Sequence, residues 1–271
     1  MPTLATRMSR AKPSTIMVIA DKANALKAQG KSIISFSIGV PNFLPAEHVY
    51  AAAREALSRD PGTYHPNRGT PDLVNAFLAW LAGEGLTGYT AKNVCAGIGA
   101  KDLLWKVMYA TLQPGDEVLI PTPYWTTYAD ICDILEAKPV FLNCPASQNY
   151  KLTVAQVAAA ITPKTKLIIF NNPSNPTGMV YDQNEIAALA AELVKHDLWV
   201  LSDDIYSRLT FDGKRCHHLL EAQPTLRDRT IILQSHSKIY GMPGWRIGML
   251  AAPEALATAV VNLNSNGITN L

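Results

Sequence analysis

The chain has 271 residues, 48% of them hydrophobic and 17% charged, which supplies the bulk for a large buried core and excludes a disordered chain. A formal net charge of +2 with no run of like charges argues against nucleic acid or an anionic membrane as partner, and favours a small-molecule ligand. Cys95, Cys132, Cys144 and Cys216 are widely spaced without a Cys-x-x-Cys pair, and His217-His218 is an adjacent pair rather than a ligand frame, so reduced thiols in a cytoplasmic protein and no metal are expected.

Met1 to Gln29 holds no continuous apolar run of the kind a signal peptide or spanning helix requires. Within it Ile16, Met17, Ile19, Ala20, Ala23 and Leu26 recur at helical spacing. That spacing predicts a helix from Ser14 to Gln29, with Ser14 and Thr15 able to cap its start and Gly30 placed to stop it. A strand-like run, Ile33 to Ile38, follows and ends at Gly39, two residues ahead of Pro41. Pro45 to Arg59 reads as a second helix, broken at Pro61-Gly62. A third starts with Thr70 as N-cap and Pro71 in the first helical position, and runs to about Leu81.

After Thr90 strands and helices alternate. Strands are predicted at Asn93 to Ala96, Glu117 to Ile120, Pro139 to Leu142, Lys166 to Phe170, Trp199 to Ser202, Thr230 to Leu233 and Ile247 to Ala251. Helices are predicted from Lys101 to Leu112, Thr126 to Leu135, Val154 to Ile161 and Asn184 to Lys195, with a closing helix from Pro253. Runs without alternation, such as Leu167-Ile168-Ile169-Phe170, belong in a sheet covered by helices on both faces. The predicted class is therefore α/β: a doubly wound, three-layer αβα domain on a seven-stranded, mostly parallel sheet. No repeat or linker interrupts the chain from about Ala46 onward.

Ligands of such sheets sit at the carboxyl ends of the strands, and five of these ends are chemically specific. Gly97-Ile98-Gly99-Ala100-Lys101-Asp102 is a glycine-rich turn opening a helix, suited to an anion or simply to a tight turn; it lacks the third glycine of a dinucleotide fingerprint. Pro121-Thr122-Pro123-Tyr124-Trp125 presents an indole that either stacks on a planar ring or packs in the core. Asn171-Asn172-Pro173-Ser174-Asn175-Pro176-Thr177-Gly178 is turn chemistry with amide donors directly after a buried strand. Asp203 ends an apolar strand, where it needs a donor or cation to stay ionised, and Tyr206 lies three residues on. Last comes Ser235-His236-Ser237-Lys238, with Arg246 eight residues after the lysine across a loop containing two glycines and a proline. An amine suits a carbonyl and a guanidinium suits a phosphate, so the set describes a site for a phosphorylated, aromatic, carbonyl-bearing ring.

These motifs, in this order, resemble the fold type I, class I/II aminotransferases that use pyridoxal phosphate (PLP), close to the aspartate aminotransferase group. Asn-Pro-Ser-Asn-Pro-Thr-Gly, Ser-Asp-Asp-Ile-Tyr and the Ser-x-Ser-Lys to Arg-x-Gly segment carry the likeness, which runs from about Ser14 to the last residue. The resemblance implies that Lys238 holds PLP as an internal imine and later shuttles a proton, while Asp203 pairs with the pyridine nitrogen. Tyr206 and Asn175 would bond the ring oxygen, and Trp125 would stack on the ring. Arg246, Ser235 and Ser237 would bind the phosphate with the turn at Gly99, Ala100 and Lys101. Tyr64 would reach the phosphate of a neighbouring subunit, implying a homodimer with shared sites. Gly39, Trp125 and Asn175 would meet substrate, with Lys101, Ser14, Thr15 and His65 near the mouth.

The resemblance further implies an N-terminal arm and the start of a small domain over 1–45, and a PLP-binding large domain over 46–271. Val40-Pro41-Asn42 stands where the family usually has Glu-Pro-Asp, and Asp204 replaces the commoner glutamate. No residue can be assigned the arginine that clamps the substrate carboxylate. The chain is therefore expected to be C-terminally truncated, with the large domain incomplete at its C-terminal end and the C-terminal small domain missing, and by itself to bind PLP but transfer amino groups poorly. The expected reaction moves an amino group between an L-amino acid and a 2-oxo acid; lyase or amino-acid oxidase chemistry on the same fold, or cofactor binding alone, are the alternatives.

Overall fold

The computed structural model describes residues 2–60 and 62–269; Pro61, where the second predicted helix breaks, lies outside the described residues. Helix α1 (Thr15–Ala28) forms as the spacing predicts, and Gly30, at φ 79°, ends it where a side chain would be strained. Ser14 stands at the N-cap position, but no side chain caps the helix, which corrects the capping role read for Ser14 and Thr15. Helix α2 (Glu47–Arg59) and helix α3 (Pro71–Gly83) follow. Thr70 caps α3 through its Oγ1, which accepts from the Leu73 amide at 3.3 Å.

The strand expected over Ile33 to Ile38 is absent: that run is irregular, with Phe36 94% and Ile34 83% exposed. Alternating apolar residues make a strand only beside a partner whose backbone accepts their hydrogen bonds, and among the described residues no strand of the sheet pairs with this segment.

From residue 94 the alternation is regular. In order come β1 (Val94–Ile98), α4 (Ala100–Thr111), β2 (Glu117–Thr122), α5 (Thr127–Ile134), β3 (Lys138–Asn143), α6 (Val154–Ala160), β4 (Thr165–Asn171), α7 (Gln183–Leu193) and β5 (Trp199–Asp203). Then come α8 (Leu219–Ala222), β6 (Thr230–Ser235), α9 (His236–Ile239), β7 (Ile247–Ala251) and α10 (Glu254–Ser265). The seven strands form one sheet in the order β1-β7-β6-β5-β4-β2-β3, mostly parallel, with β7 antiparallel to both β6 and β1.

Period-two side-chain alternation divides the core into two layers. Val118, Ile120, Leu167, Ile169, Leu201, Ile231 and Leu233 pack on one face with Leu103, Leu104 and Val107 of α4, Ile131 of α5 and Val260 of α10. Their neighbours Leu119, Ile168, Phe170, Val200 and Ile232 pack on the other with Phe77 and Leu81 of α3, Val157 of α6, Leu189 and Leu193 of α7 and Leu219 of α8. Burial on both faces is why the strands read as unbroken apolar runs, and each fully buried leucine contributes about 1.5–3 kcal/mol.

Candidate active site at the carboxyl edge of the sheet

Because β7 runs against its neighbours, its first residue lies at the edge where β1, β2, β4, β5 and β6 end. Gly99, Trp125, Asn175, Asp203, Ser235 and Lys238 follow or finish those strands, and Arg246 immediately precedes β7. Topology thus brings to one edge residues spread over more than half the chain.

At the β1 end, Gly99 is the N-cap of α4 with φ 84° and ψ 164°, a conformation essentially restricted to glycine. Space reinforces the requirement: a Cβ there would lie 2.4 Å from Nη2 of Arg246. A Cβ on Gly248 would in turn lie 2.4 Å from the carbonyl carbon of Gly99 and 2.6 Å from the Ala100 nitrogen. The two glycines let β7 and the start of α4 close together, setting the Arg246 guanidinium beside the free first-turn amides of Ala100 and Lys101. Among the described residues Arg246 donates only to main-chain carbonyls, Pro243 O at 3.0 Å and Ile98 O at 3.2 Å, and is exposed, leaving its charge available to an oxyanion. Ser235 and Ser237 hydrogen-bond through their hydroxyls at 2.9 Å, and Ser235 Oγ also accepts from the Ser237 amide at 3.1 Å. Guanidinium, hydroxyls and helix amides are together a donor set suited to phosphate.

Asp203 is 1% exposed. Two positions on from Leu201, it projects into the α4/α5 layer, where Tyr128 of α5 donates to its Oδ2 at 2.5 Å. Its other oxygen accepts from the Ile205 amide at 3.5 Å, and among the described residues it has no ion-pair partner. Burial pushes this carboxyl up to about 6, although the Tyr128 bond opposes the rise; the negative Asp204 adds to it. Tyr206 is half-buried, and burial with the nearby Asp203 charge pushes its phenol to about 12, so it is a donor at neutral pH. The Lys238 amine lies 6.0 Å from the centre of the Tyr206 ring and donates to the carbonyl of Gly39 at 2.6 Å; partial burial lowers its pKa.

Asn171 pairs with Asp203 in the sheet register and its Nδ2 donates to the Asp203 carbonyl at 2.8 Å, while its Oδ1 accepts from the Asn175 amide at 2.6 Å. The loop bearing Asn175 is therefore tied to the strand bearing Asp203. Trp125 meets Tyr128 edge to face, ring centres 5.4 Å apart, and the Lys101 amine sits 5.0 Å above the indole. An open cavity of about 680 Å³ adjoins the cluster, sharing Asn175 and Tyr206 with it, but neither Asp203 nor Lys238 lines it. Convergence of strand ends, more than cavity size, marks this edge.

Three further residues singled out by sequence lie toward solvent. Tyr64 is 88% exposed, Thr15 is exposed, and His65 faces Asp60 at 3.6 Å. Sequence reasoning also passed over Tyr128, which lies in the first turn of α5, its amide donating to the carbonyl of Trp125 at 3.1 Å in the turn that precedes the helix. It passed over Asn171 as a brace and Gln234, whose Oε1 accepts from the Ser235 amide at 2.8 Å. Among the described residues no group of three or more histidine, cysteine, aspartate or glutamate side chains is arranged to hold a metal, and no helix is long and apolar enough to cross a membrane.

A family model described as aminotransferase class I and II matches residues 31–270. The chain belongs to that family. It is 39% identical over 262 residues to an aspartate aminotransferase of Rhizobium meliloti, a match covering 96% of this chain and 64% of that enzyme. An aspartate/prephenate aminotransferase of Cereibacter sphaeroides is 38% identical over 271 residues, covering 100% of this chain and 68% of the relative. This family member thus spans 64% to 68% of the length of these curated relatives. The crystal structure of the Rhizobium meliloti aspartate aminotransferase superposes with a TM-score of 0.95 at 38% identity, covering 100% of this chain and 68% of that one. That of Thermus thermophilus aspartate aminotransferase with maleate gives 0.93 at 31% identity, covering 99% and 69%.

Proposed function

We propose that this chain is the PLP-binding part, with residues 46–271 as the large domain, of an enzyme that moves an amino group between an L-amino acid and a 2-oxo acid. The observation that carries the reading is Asp203, a carboxylate buried without a cation among the described residues, at the same sheet edge as an amine of lowered pKa. A buried anion is favoured only beside a proton donor or a cation, and a protonated ring nitrogen is both.

The residues present fit PLP. Arg246, Ser235, Ser237 and the first-turn amides at Gly99, Ala100 and Lys101 would hold its phosphate. Tyr206 and Asn175 would bond its ring oxygen, Trp125 would cover its face, and Lys238 would hold its carbonyl end. When bound, PLP supplies a ring that accepts electrons released as the substrate's α-carbon loses its proton. Asp203, ionised, keeps the ring nitrogen protonated. Lys238, whose charged form burial disfavours, would take the proton from the α-carbon at Nζ and return it at the adjoining carbon. Gly39, whose carbonyl already meets Lys238, would lie against the substrate carboxylate.

Aspartate is the amino donor we infer, from relatives named for that substrate. The exposed phenol of Tyr64 suits a contact to a second subunit, so we infer a homodimer with shared sites. Four buried, unpaired cysteines suit the reducing cytoplasm. Adding PLP to the purified chain, reducing with borohydride and mapping the adduct by mass tests the reading: Lys238 alone should be modified, and an adduct elsewhere, or none, overturns it. Glutamate formed from aspartate and 2-oxoglutarate measures the transfer itself.

A further inference from the structure

The two adjacent acids at the end of β5 point to opposite faces of the sheet. Asp203 turns toward Tyr128, whereas Asp204, 2% exposed, turns to the α3/α8 face. There its Oδ1 accepts from Ser202 Oγ at 2.7 Å and its Oδ2 lies 3.1 Å from Nδ1 of His218, itself 4% exposed. His218 immediately precedes α8 and comes from the histidine pair that the sequence left without a role.

The main chain of Asp204 is equally fixed. Its amide donates to Leu233 O at 3.0 Å, and its carbonyl accepts from the Ser207 amide at 2.9 Å and from Gln234 Nε2 at 2.9 Å. Gln234 Nε2 also reaches Ser207 Oγ at 3.1 Å, and the same side chain receives the Ser235 amide. Asp204 is thus held at side chain, amide and carbonyl, between the two residues of the turn proposed to face the ring. A buried ion pair is a weak source of stability but a strong constraint on geometry, because each partner without the other is an uncompensated buried charge.

Resting on the function proposed above, we infer that His218, acting through Asp204, is a positioning residue of the site: it fixes the turn that presents Asp203 and Tyr206 together. Its charged surroundings agree. Glu221, held by Arg215, accepts from the His218 amide at 3.3 Å, and Glu84, held by Arg208 at the end of α3, also faces it. Burial opposes the imidazolium, but Asp204, Glu221 and Glu84 outweigh it, and His218 titrates above its ordinary value; the nearby Cys216 and Tyr89 are held neutral by burial. Asp204's negative charge raises Asp203; on this inference a charged His218, bonded to Asp204, would offset that field.

The experiment compares the full chain with His218→Gln, which keeps a donor and loses the charge, and with the Asp204→Asn/His218→Gln double variant, which keeps a neutral bond. In the chain without added PLP, NMR should show the His218 imidazole titrating above its ordinary value, that titration lowered by Asp204→Asn, and the Asp203 carboxyl titrating about one pH unit higher in His218→Gln. With PLP, His218→Gln should weaken cofactor binding about tenfold and move the pH midpoint of the bound cofactor's absorbance, and the double variant should return toward wild type. An Asp203 titration and absorbance midpoint unchanged in folded His218→Gln overturns the inference; if that variant does not fold, a double variant no closer to wild type than Asp204→Asn alone does the same. Absence of PLP binding in every form, with the NMR results as expected, refutes the proposed function and leaves the charge coupling standing.

Discussion

Asp203 illustrates how a residue suited to chemistry is costly to fold. Its carboxyl is raised from 3.8 to about 6, chiefly by burial, so the folded state holds its proton more tightly than the unfolded state does. Stability from this group is therefore lost as pH rises from about 4 toward 6 and is missing in full above that range, a cost of about 3 kcal/mol at neutral pH. Asp203→Asn keeps an acceptor for Tyr128 and removes the charge. Without PLP it should be more stable than wild type by about 1–3 kcal/mol at pH near 7.5 and no more stable below pH near 4, by urea unfolding. The same substitution should abolish amino-group transfer, since an amide cannot hold the ring nitrogen's proton as a carboxylate does. Tyr128→Phe works the other way: it removes the bond that opposes the rise, so the Asp203 titration should move upward, which carboxyl NMR would register. Tyr128 escaped sequence reasoning because its partner lies 75 residues away, and only packing of α5 onto β5 brings them together. The single chemical hint at Asp203, a carboxylate at the end of an apolar strand, was visible because burial follows from the strand pattern alone.

At the scale of elements, the apolar runs of β2, β4 and β5 were legible because a strand buried on both faces has no polar positions to hide it. The segment from Ile33 to Ile38 shows the limit: propensity describes a residue's preference, but strand formation needs a neighbour, and pairing is not written in the segment itself. The turn from β1 into α4 is the reverse case, where sequence showed glycines and the structure shows why. Gly99→Ala meets both a forbidden backbone conformation and the Arg246 guanidinium, whereas Gly213→Ala, at φ 68°, meets nothing within 4 Å. Both should destabilise through the backbone, by about 1–3 kcal/mol. Gly99→Ala alone should also weaken inorganic phosphate and PLP binding, at least tenfold by titration, because it displaces a cation from the helix start. Equal losses in the two variants would remove Arg246 from the proposed anion site.

Across the whole molecule, residues distant in sequence are joined by a buried polar network that supports the same edge from beneath. Lys106 of α4, 8% exposed, donates to Asp102 Oδ2 at 2.7 Å and to Asn264 Oδ1 at 2.6 Å. Asp102 Oδ2 also accepts from the Ile98 amide at 3.2 Å, at the end of β1. Asn264 of α10 donates to the carbonyls of Asn67 at 2.8 Å and Ala96 at 3.0 Å, the latter 168 residues away. One asparagine therefore fastens the last helix to the first strand of the sheet and to the loop before α3. Asn264→Leu fills similar volume but leaves a buried ammonium short of an acceptor and two carbonyls short of a donor. At about 1–3 kcal/mol for each buried unsatisfied group, it should lower unfolding free energy by about 2–4 kcal/mol after partial relaxation. Lys106→Met should cost a comparable amount, because it strands Asp102 in a nearly dry site. The two losses should not add: once Asn264 is gone, removing the ammonium relieves one of the unsatisfied groups, and the double variant should be more stable than the summed singles imply. A double-mutant cycle measured by urea unfolding reads that coupling, and strict additivity would mean that the edge is held by apolar packing of α4 and α10 alone.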